Sequence, residues 1–316
     1  MMQTFIVTGG NTGLGFQCAS ALDVNHGNVV VIACRDVKAA KPAAQKLRQG
    51  GGRVEVLSLD LSKQSSVHAF VDEFRARKLP PLAGIICNAG GQSVAAPTRT
   101  AEGYETTFGV NHLGHYLLVR LMLPDLAPDT RITLVASSTH DPKQKTGMPA
   151  PRYENAEAAA HDFEPGAEAG KRRYTTSKLC NIYTAYELAR HLAASPDPRL
   201  QSIRVNAFDP GMMPGTGLAQ TYPPVMRFAW NYVLPALTLF QRNVNTPSKS
   251  GKRLALLAAG SEGGATGKYF SDGHETRSSD LSLDKAKALD LWNGSADMTH
   301  LAHELVSDRP ALHLAS

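Results

Sequence analysis

Cysteine is scarce in this chain: there are four in 316 residues, and Cys18, Cys34, Cys87 and Cys180 include no pair at CxxC or CxxH spacing. That spacing excludes the common zinc and dithiol redox motifs. A long, cysteine-poor chain needs no disulfides, which fits a reducing cytoplasm. Long apolar runs are missing too. No uncharged apolar run reaches the ~18 residues of a membrane-spanning helix. Residues from Gln3 onward read as a strand rather than a signal peptide, so a cytoplasmic location is expected. There is no internal repeat and no low-complexity tract. The basic excess is modest, +5 with a pI near 9.0, and the densest cluster, Lys171-Arg172-Arg173, is too short for a nucleic-acid stripe. A mildly basic surface or a polyanionic cofactor accounts for the charge better than nucleic acid does. With 42% hydrophobic and 19% charged residues, the chain can bury a sizeable core, which excludes disorder.

What is present is alternation. Gln3–Thr8, Asn28–Ala33, Arg53–Leu57, Ala83–Cys87, Arg131–Ala136 and Ser202–Phe208 are short, mostly apolar runs, as expected of strands covered on both faces. Helical stretches separate or follow them: Leu14–Val24, Ala39–Gln49, Ser65–Lys78, Tyr104–Met122, Tyr174–Ala194 and Ser248–Ala259. Gly267–Phe270 reads as a last strand. This order predicts an α/β fold, a single doubly wound parallel sheet of Rossmann-like type with helices on both faces. One domain is expected over residues 1–316. Two segments interrupt the pattern. Residues 141–173 read as an insertion, longer than most loops. Residues 212–246, rich in Met, Pro and aromatics, read as an apolar lid over a substrate.

The first strand runs into Thr8-Gly9-Gly10-Asn11-Thr12-Gly13-Leu14-Gly15, a GxxxGxG pattern that opens the first helix. Gly9 suits the tight turn, Gly13 leaves room for a pyrophosphate, and Gly15 lets the helix pack closely. The helix N-terminus supplies N–H donors and partial positive charge. The second strand ends Ala33-Cys34-Arg35-Asp36. An acid there would hold a ribose 2′-hydroxyl, whereas Arg35, with Lys38 nearby, suits a 2′-phosphate. NADP(H) is therefore expected, with Asp36 as the competing feature.

Tyr174-Thr175-Thr176-Ser177-Lys178 is a YxxxK motif. On a helix, i and i+4 share a face, so the lysine ammonium sits near the phenol and favours phenolate. With GxxxGxG at the N-terminus, this chain resembles the short-chain dehydrogenase/reductase family. Asp60-Leu61 stands where the family contacts adenine. Asn88-Ala89-Gly90 resembles its NAG motif, Asn111 its helix asparagine, and Pro210-Gly211 its nicotinamide-side turn. The resemblance spans about residues 3–275. It implies hydride transfer between a nicotinamide and a substrate carbon. Ser137 would bind the carbonyl oxygen, with Ser138 the alternative. Tyr174 would exchange the proton, Lys178 would tune it and bind ribose, and Asn111 would hold the relay. No metal is implied. His112 and His115 have apolar neighbours and read as packed or surface side chains.

Two branches of the family look most similar, the retinol dehydrogenases and the light-dependent protochlorophyllide reductases. Cys180, Thr139-His140-Asp141-Pro142 and the 141–173 insertion lean toward the second, while the Gly-Asn-Thr-Gly phosphate loop leans toward the first. Cys180 lies six residues after Tyr174, about 240° around the helix, and so off the catalytic face. It is expected to pack. The resemblance implies an enzyme that interconverts an alcohol and a carbonyl on a bulky apolar small molecule, in the dark. Light-driven reduction of a tetrapyrrole is the alternative. Peripheral membrane contact through the lid and self-association are both left open.

Overall fold

The apolar run after Gln3 forms the centre of the sheet, β1 (Thr4–Thr8), whose five residues are all buried. The computed structural model describes residues 2–23, 27–213, 245–260 and 264–305. The remaining strands are β2 (Val29–Cys34), β3 (Arg53–Ser58), β4 (Leu82–Cys87), β5 (Leu126–Val135), β6 (Arg204–Asp209), β7 (Lys268–Ser271) and β8 (His274–Thr276). They form one sheet in the order β3-β2-β1-β4-β5-β6-β7-β8. Neighbours pair parallel through β7. The strand order reverses between β1 and β4, which opens a crevice above their carboxyl ends, the usual ligand position in such sheets.

One edge departs from the expected all-parallel sheet: β8 pairs antiparallel with β7. Between them Asp272 and Gly273 have φ of 53° and 85°, the two positive values of a type I′ hairpin turn.

Side chains alternate across the sheet with the period of two that a pleated strand imposes. Ile6, Val31 and Ile85 enter one buried cluster, and Phe5, Val7, Val30 and Ile32 enter the other. Over the second face lie α1 (Gly13–Asp23), α2 (Val37–Gln49) and the Pro247–Ala259 helix. Over the first lie α3 (Gln64–Ala76), α5 (Gly114–Met122), α7 (Ala167–Ala194) and the Lys285–Met298 helix. Short α4 (Thr106–Phe108), α6 (Ala156–Ala160) and α8 (Pro198–Ser202) complete the described α-helices.

Two helices differ from expectation. The single helix expected over Tyr104–Met122 is α4, then a π turn over Gly109–Leu113, then α5. The helix expected from Tyr174 begins seven residues earlier, at Ala167, directly after Gly166 at φ 101°. Ala167, Glu168, Ala169, Lys171, Arg172 and Arg173 are all good helix formers. The end of the expected insertion is therefore the first two turns of α7.

Candidate active site

The loop after β1 takes the shape that its glycines allow. Gly9 turns at φ 63°, and its N–H donates to the Ala33 carbonyl at 2.8 Å. Gly13 sits at φ 54° with no atom within 4 Å of where a Cβ would stand. That open face, at the start of an eleven-residue helix, leaves backbone N–H groups accessible to a pyrophosphate. Gly15 is crowded instead: a Cβ there would lie 2.4 Å from the Gly9 carbonyl oxygen and 2.5 Å from Asn88 Nδ2. Its smallness thus serves the loop and Asn88. Asn88 Nδ2 also donates to the Thr8 carbonyl at 2.8 Å. Leu14 is buried, and the Thr12 carbonyl accepts from Phe16 N–H.

Thr8, which sequence reasoning passed over, ties this loop to β4. Its Oγ1 accepts from the N–H groups of Asn88 and Ala89, both at 2.9 Å, and also meets His115 Nε2 at 2.9 Å. His115 Nδ1 lies 3.2 Å from the Asn111 carbonyl oxygen, which can only accept. The neutral ring therefore carries its proton on Nδ1, and Thr8 donates to Nε2. Burial lowers the His115 pKa to about 4, and that of His112 to about 3. Both are packed residues, as expected, but His115 also braces the site. The signal was a hydroxyl closing an otherwise apolar strand.

A cleft of about 440 Å³ lies above β1 and β4. Of the residues expected at the cofactor, Gly9, Asn11, Arg35, Asp60, Leu61, Ala89 and Gly90 line it, as does Asn111. Arg35 is exposed at its rim. Asp36 also borders the cleft, but its carboxylate caps α2, accepting from Ala39 N–H at 2.9 Å. Lys38 is not part of the lining. Asp60 accepts from the Ser62 hydroxyl and N–H, while its own N–H donates to Ser66 Oγ.

Two of the candidate catalytic residues, Asn111 and Lys178, approach each other at Gly90. A Cβ on Gly90 would lie 2.9 Å from Asn111 Oδ1 and 3.8 Å from Lys178 Nζ. Asn111 stands in the π turn, a feature that often marks functional sites. Its amide is locked, exchanging hydrogen bonds with the backbone of Gly91 at 2.9 Å each way and donating to Ser177 Oγ. Lys178 is buried, with Nζ 3.0 Å from the Val135 carbonyl and 5.5 Å from the Tyr174 ring centroid. Desolvation lowers its pKa to about 8, against the opposing pull of Asp209. Asn181 Nδ2 shares the Val135 carbonyl at 3.0 Å. Tyr174 itself is 8% exposed.

Ser137 sits just past β5 in extended backbone and caps the turn Ser138–His140. His140 fixes that loop: its Nδ1 donates to the Ser137 carbonyl at 2.6 Å, and its Nε2 accepts from Ser279 N–H at 3.0 Å. Beyond β6, the Pro210 carbonyl accepts from Ser250 Oγ and Asn245 Nδ2, and Gly211 turns at φ 75°. Cys180 is buried among Phe108, Leu113, Tyr153 and Tyr183, which is the packing role expected of it. Of the expected lid, Met212, Met213, Asn245 and Thr246 are described; Tyr222, Met226, Phe228, Trp230, Tyr232 and Phe240 lie outside the described residues. No helix among the described residues is long and apolar enough to cross a membrane.

Comparison with known proteins agrees with this geometry. The family described as short chain dehydrogenase matches residues 3–163. Protochlorophyllide reductase A of Oryza sativa subsp. japonica is 33% identical over 94% of this chain and 80% of that protein. The protochlorophyllide reductase of Avena sativa is 32% identical over 94% of this chain and 99% of its own. Among solved structures, an uncharacterised protein from Mycobacterium Paratuberculosis superposes with a TM-score of 0.69 at 27% identity, covering 96% of this chain and 94% of that one. The angucycline C-6 ketoreductase LanV shares the fold, with a TM-score of 0.63 at 22% identity over 86% of this chain and 94% of its own. The family match takes in the glycine loop and about half of the chain, the relatives extend over 94% of it, and the chain belongs to the short-chain dehydrogenase family, related to its protochlorophyllide reductases.

Proposed function

We propose that the protein is an NADP(H)-dependent oxidoreductase that interconverts an alcohol and a carbonyl on a bulky apolar substrate. The observation that carries this reading is the meeting of Asn111 and Lys178 at Gly90, with Tyr174 one helical turn from Lys178. The residues fit a dinucleotide: Gly13 is open at the start of α1, and Gly9, Asn11, Arg35, Asp60, Leu61, Ala89 and Gly90 line one cleft. Thr12, Leu14, Gly15 and Asn88 shape the loop beneath it, and Pro210-Gly211 closes the nicotinamide side. When bound, the nicotinamide supplies or takes up the hydride. Tyr174 passes the proton to the substrate oxygen in reduction and removes it in oxidation. Lys178 lowers the cost of the phenolate, Ser137 hydrogen-bonds the carbonyl, and Asn111 anchors the proton relay.

Tyr174→Phe tests the assignment. Turnover should fall by roughly 10²–10⁴-fold, while NADPH affinity in a fluorescence titration stays near wild type. Retained steady-state activity would remove Tyr174 from the chemistry. The substrate class is read by following NADPH absorbance in the dark over a panel from small polar aldehydes to large apolar ketones. Preference for the small aldehydes would count against a bulky substrate.

A second reading, light-driven reduction of a tetrapyrrole, is favoured by relatives named protochlorophyllide reductases that match 94% of the chain. Spectra of the protein with NADPH and protochlorophyllide, before and after illumination, separate the two. Conversion only under light selects the second reading.

A further inference from the structure

An acid closes β6, and nothing so far assigns it a part in the chemistry. Asp209 is 2% exposed. Its Oδ1 accepts from Gly211 N–H at 3.0 Å, and its Oδ2 accepts from Ser271 Oγ at 3.1 Å. The Tyr269 phenol bonds to it as well. The Gly211 N–H can only donate and both hydroxyls are able to, an arrangement that suits the ionised form. Burying such a charge is costly unless an opposite charge shares the site.

The opposite charge is one strand away. The Val135 carbonyl that holds Lys178 Nζ belongs to the β5 residue paired with Phe208 of β6, and Asp209 is the next residue along. The two interact electrostatically. Among the described residues, the other titratable groups beside Lys178 are Tyr174 and His115. Tyr174 on α7 is a phenol, and His115 on α5 is a neutral ring whose pKa is about 4. His140, which also feels Asp209, is lowered by burial.

We propose that Asp209 is the buried counter-charge of Lys178, a positioning residue that keeps the lysine cationic at working pH while holding the Pro210-Gly211 turn in place. The proposal rests on the reading of Lys178 as part of the active site, but the coupling itself is measurable without turnover. Through Tyr269, whose ring lies 5.0 Å from that of His140, Asp209 also connects with the residue that fixes the Ser137 carbonyl. The signal in the sequence was a carboxylate ending the mostly apolar run Val205-Asn206-Ala207-Phe208, just before Pro-Gly.

The test follows the Lys178 side chain directly in cofactor-free protein. Protein carrying [6-¹³C]-lysine is titrated by NMR, with the Lys178 signal assigned from its loss in Lys178→Arg. In Asp209→Asn the midpoint should fall by about one pH unit. In Tyr269→Phe, which removes a bond to the carboxylate but keeps the charge, it should stay at the wild-type value. If Asp209→Asn is not recovered folded, Asp209→Ser, smaller and still able to accept from Gly211, takes its place. An unmoved midpoint in the folded neutral variant overturns the proposal, as does an equal fall in Tyr269→Phe. The kinetic counterpart is the alkaline limb of the kcat/KM profile, which should move to lower pH with Asp209→Asn. A midpoint that moves while this limb stays would leave the coupling intact and refute instead the catalytic reading of Lys178.

Discussion

Arg35 and Asp36 are neighbours at the tip of β2, and only Asp36 caps the following helix. One oxygen of the Asp36 carboxylate is engaged at the N-cap of α2, a bond worth about 1 kcal/mol to the helix. The capping geometry that occupies it was legible in the sequence only as an ambiguity, since an acid at that position also suits a ribose hydroxyl. Arg35 stays exposed at the cleft, where a guanidinium can grip a phosphate through paired donors. Arg35→Ala should therefore weaken NADPH binding by about 10-fold or more, the loss of one charge-assisted contact, and leave NADH binding nearly unchanged. Competitive titration of both cofactors reads this. Equal losses for NADH and NADPH, or tighter NADH binding by wild-type protein, would refute the phosphate clamp.

At the scale of elements, the parallel strands and the helices between them were legible because each is a clean apolar run or amphipathic stretch. The rest was hidden for specific reasons. The Asp272-Gly273 hairpin carried its signal in two residues, and β8 is three residues long with every side chain exposed, so no hydrophobic alternation marks it. The Lys285–Met298 helix was missed although Trp292 and Leu291 are fully buried in the core; its Asn, Gly and Ser weaken the helical pattern. The π turn at Gly109–Leu113 leaves no signature in hydrophobic periodicity, because His112 and Asn111 are polar yet buried. That turn and α5 carry a pH liability. His112 and His115 are neutral in the fold, with values near 3 and 4, against about 6.5 in the unfolded chain. The unfolded state therefore binds more protons below pH 6.5, and stability is lost as pH falls from there toward the folded values. By about pH 5 each histidine costs about 2 kcal/mol. Urea midpoints should drop between pH 7 and pH 5, with a shallower drop in His112→Gln. A midpoint that holds constant over that range would mean the rings accept protons in place.

On the scale of the whole molecule, the 141–173 segment is an anchored bridge between the start of α7 and the C-terminal helix. Glu105 N–H, at the head of α4, donates to the Ala160 carbonyl of α6 at 2.7 Å. Arg173 forms a buried ion pair with Glu105 at 3.4 Å, one residue before Tyr174, and also donates to the Glu164 carbonyl. At the far end, Asp290 on the Lys285–Met298 helix accepts from the Tyr153 hydroxyl at 2.6 Å and the Ala156 N–H at 2.9 Å. Gly294 makes this approach possible, since a Cβ there would come within 2.4 Å of the Ala156 Cβ. One carboxylate thus satisfies a buried phenol and an orphan N–H at the start of α6. Asp290→Ala removes the acceptor of both bonds and should cost about 1–3 kcal/mol, because the groups left behind stay desolvated. The loss should be local. Hydrogen exchange should speed up across residues 153–160, while the strands β1, β4 and β5 keep their protection. Tyr174 and Lys178 hang from α7, which is secured separately by Arg173 and by the Val135 carbonyl, so kcat should change less than twofold. Faster exchange spread evenly over the sheet, or none in residues 153–160, would show that Asp290 does not anchor this bridge.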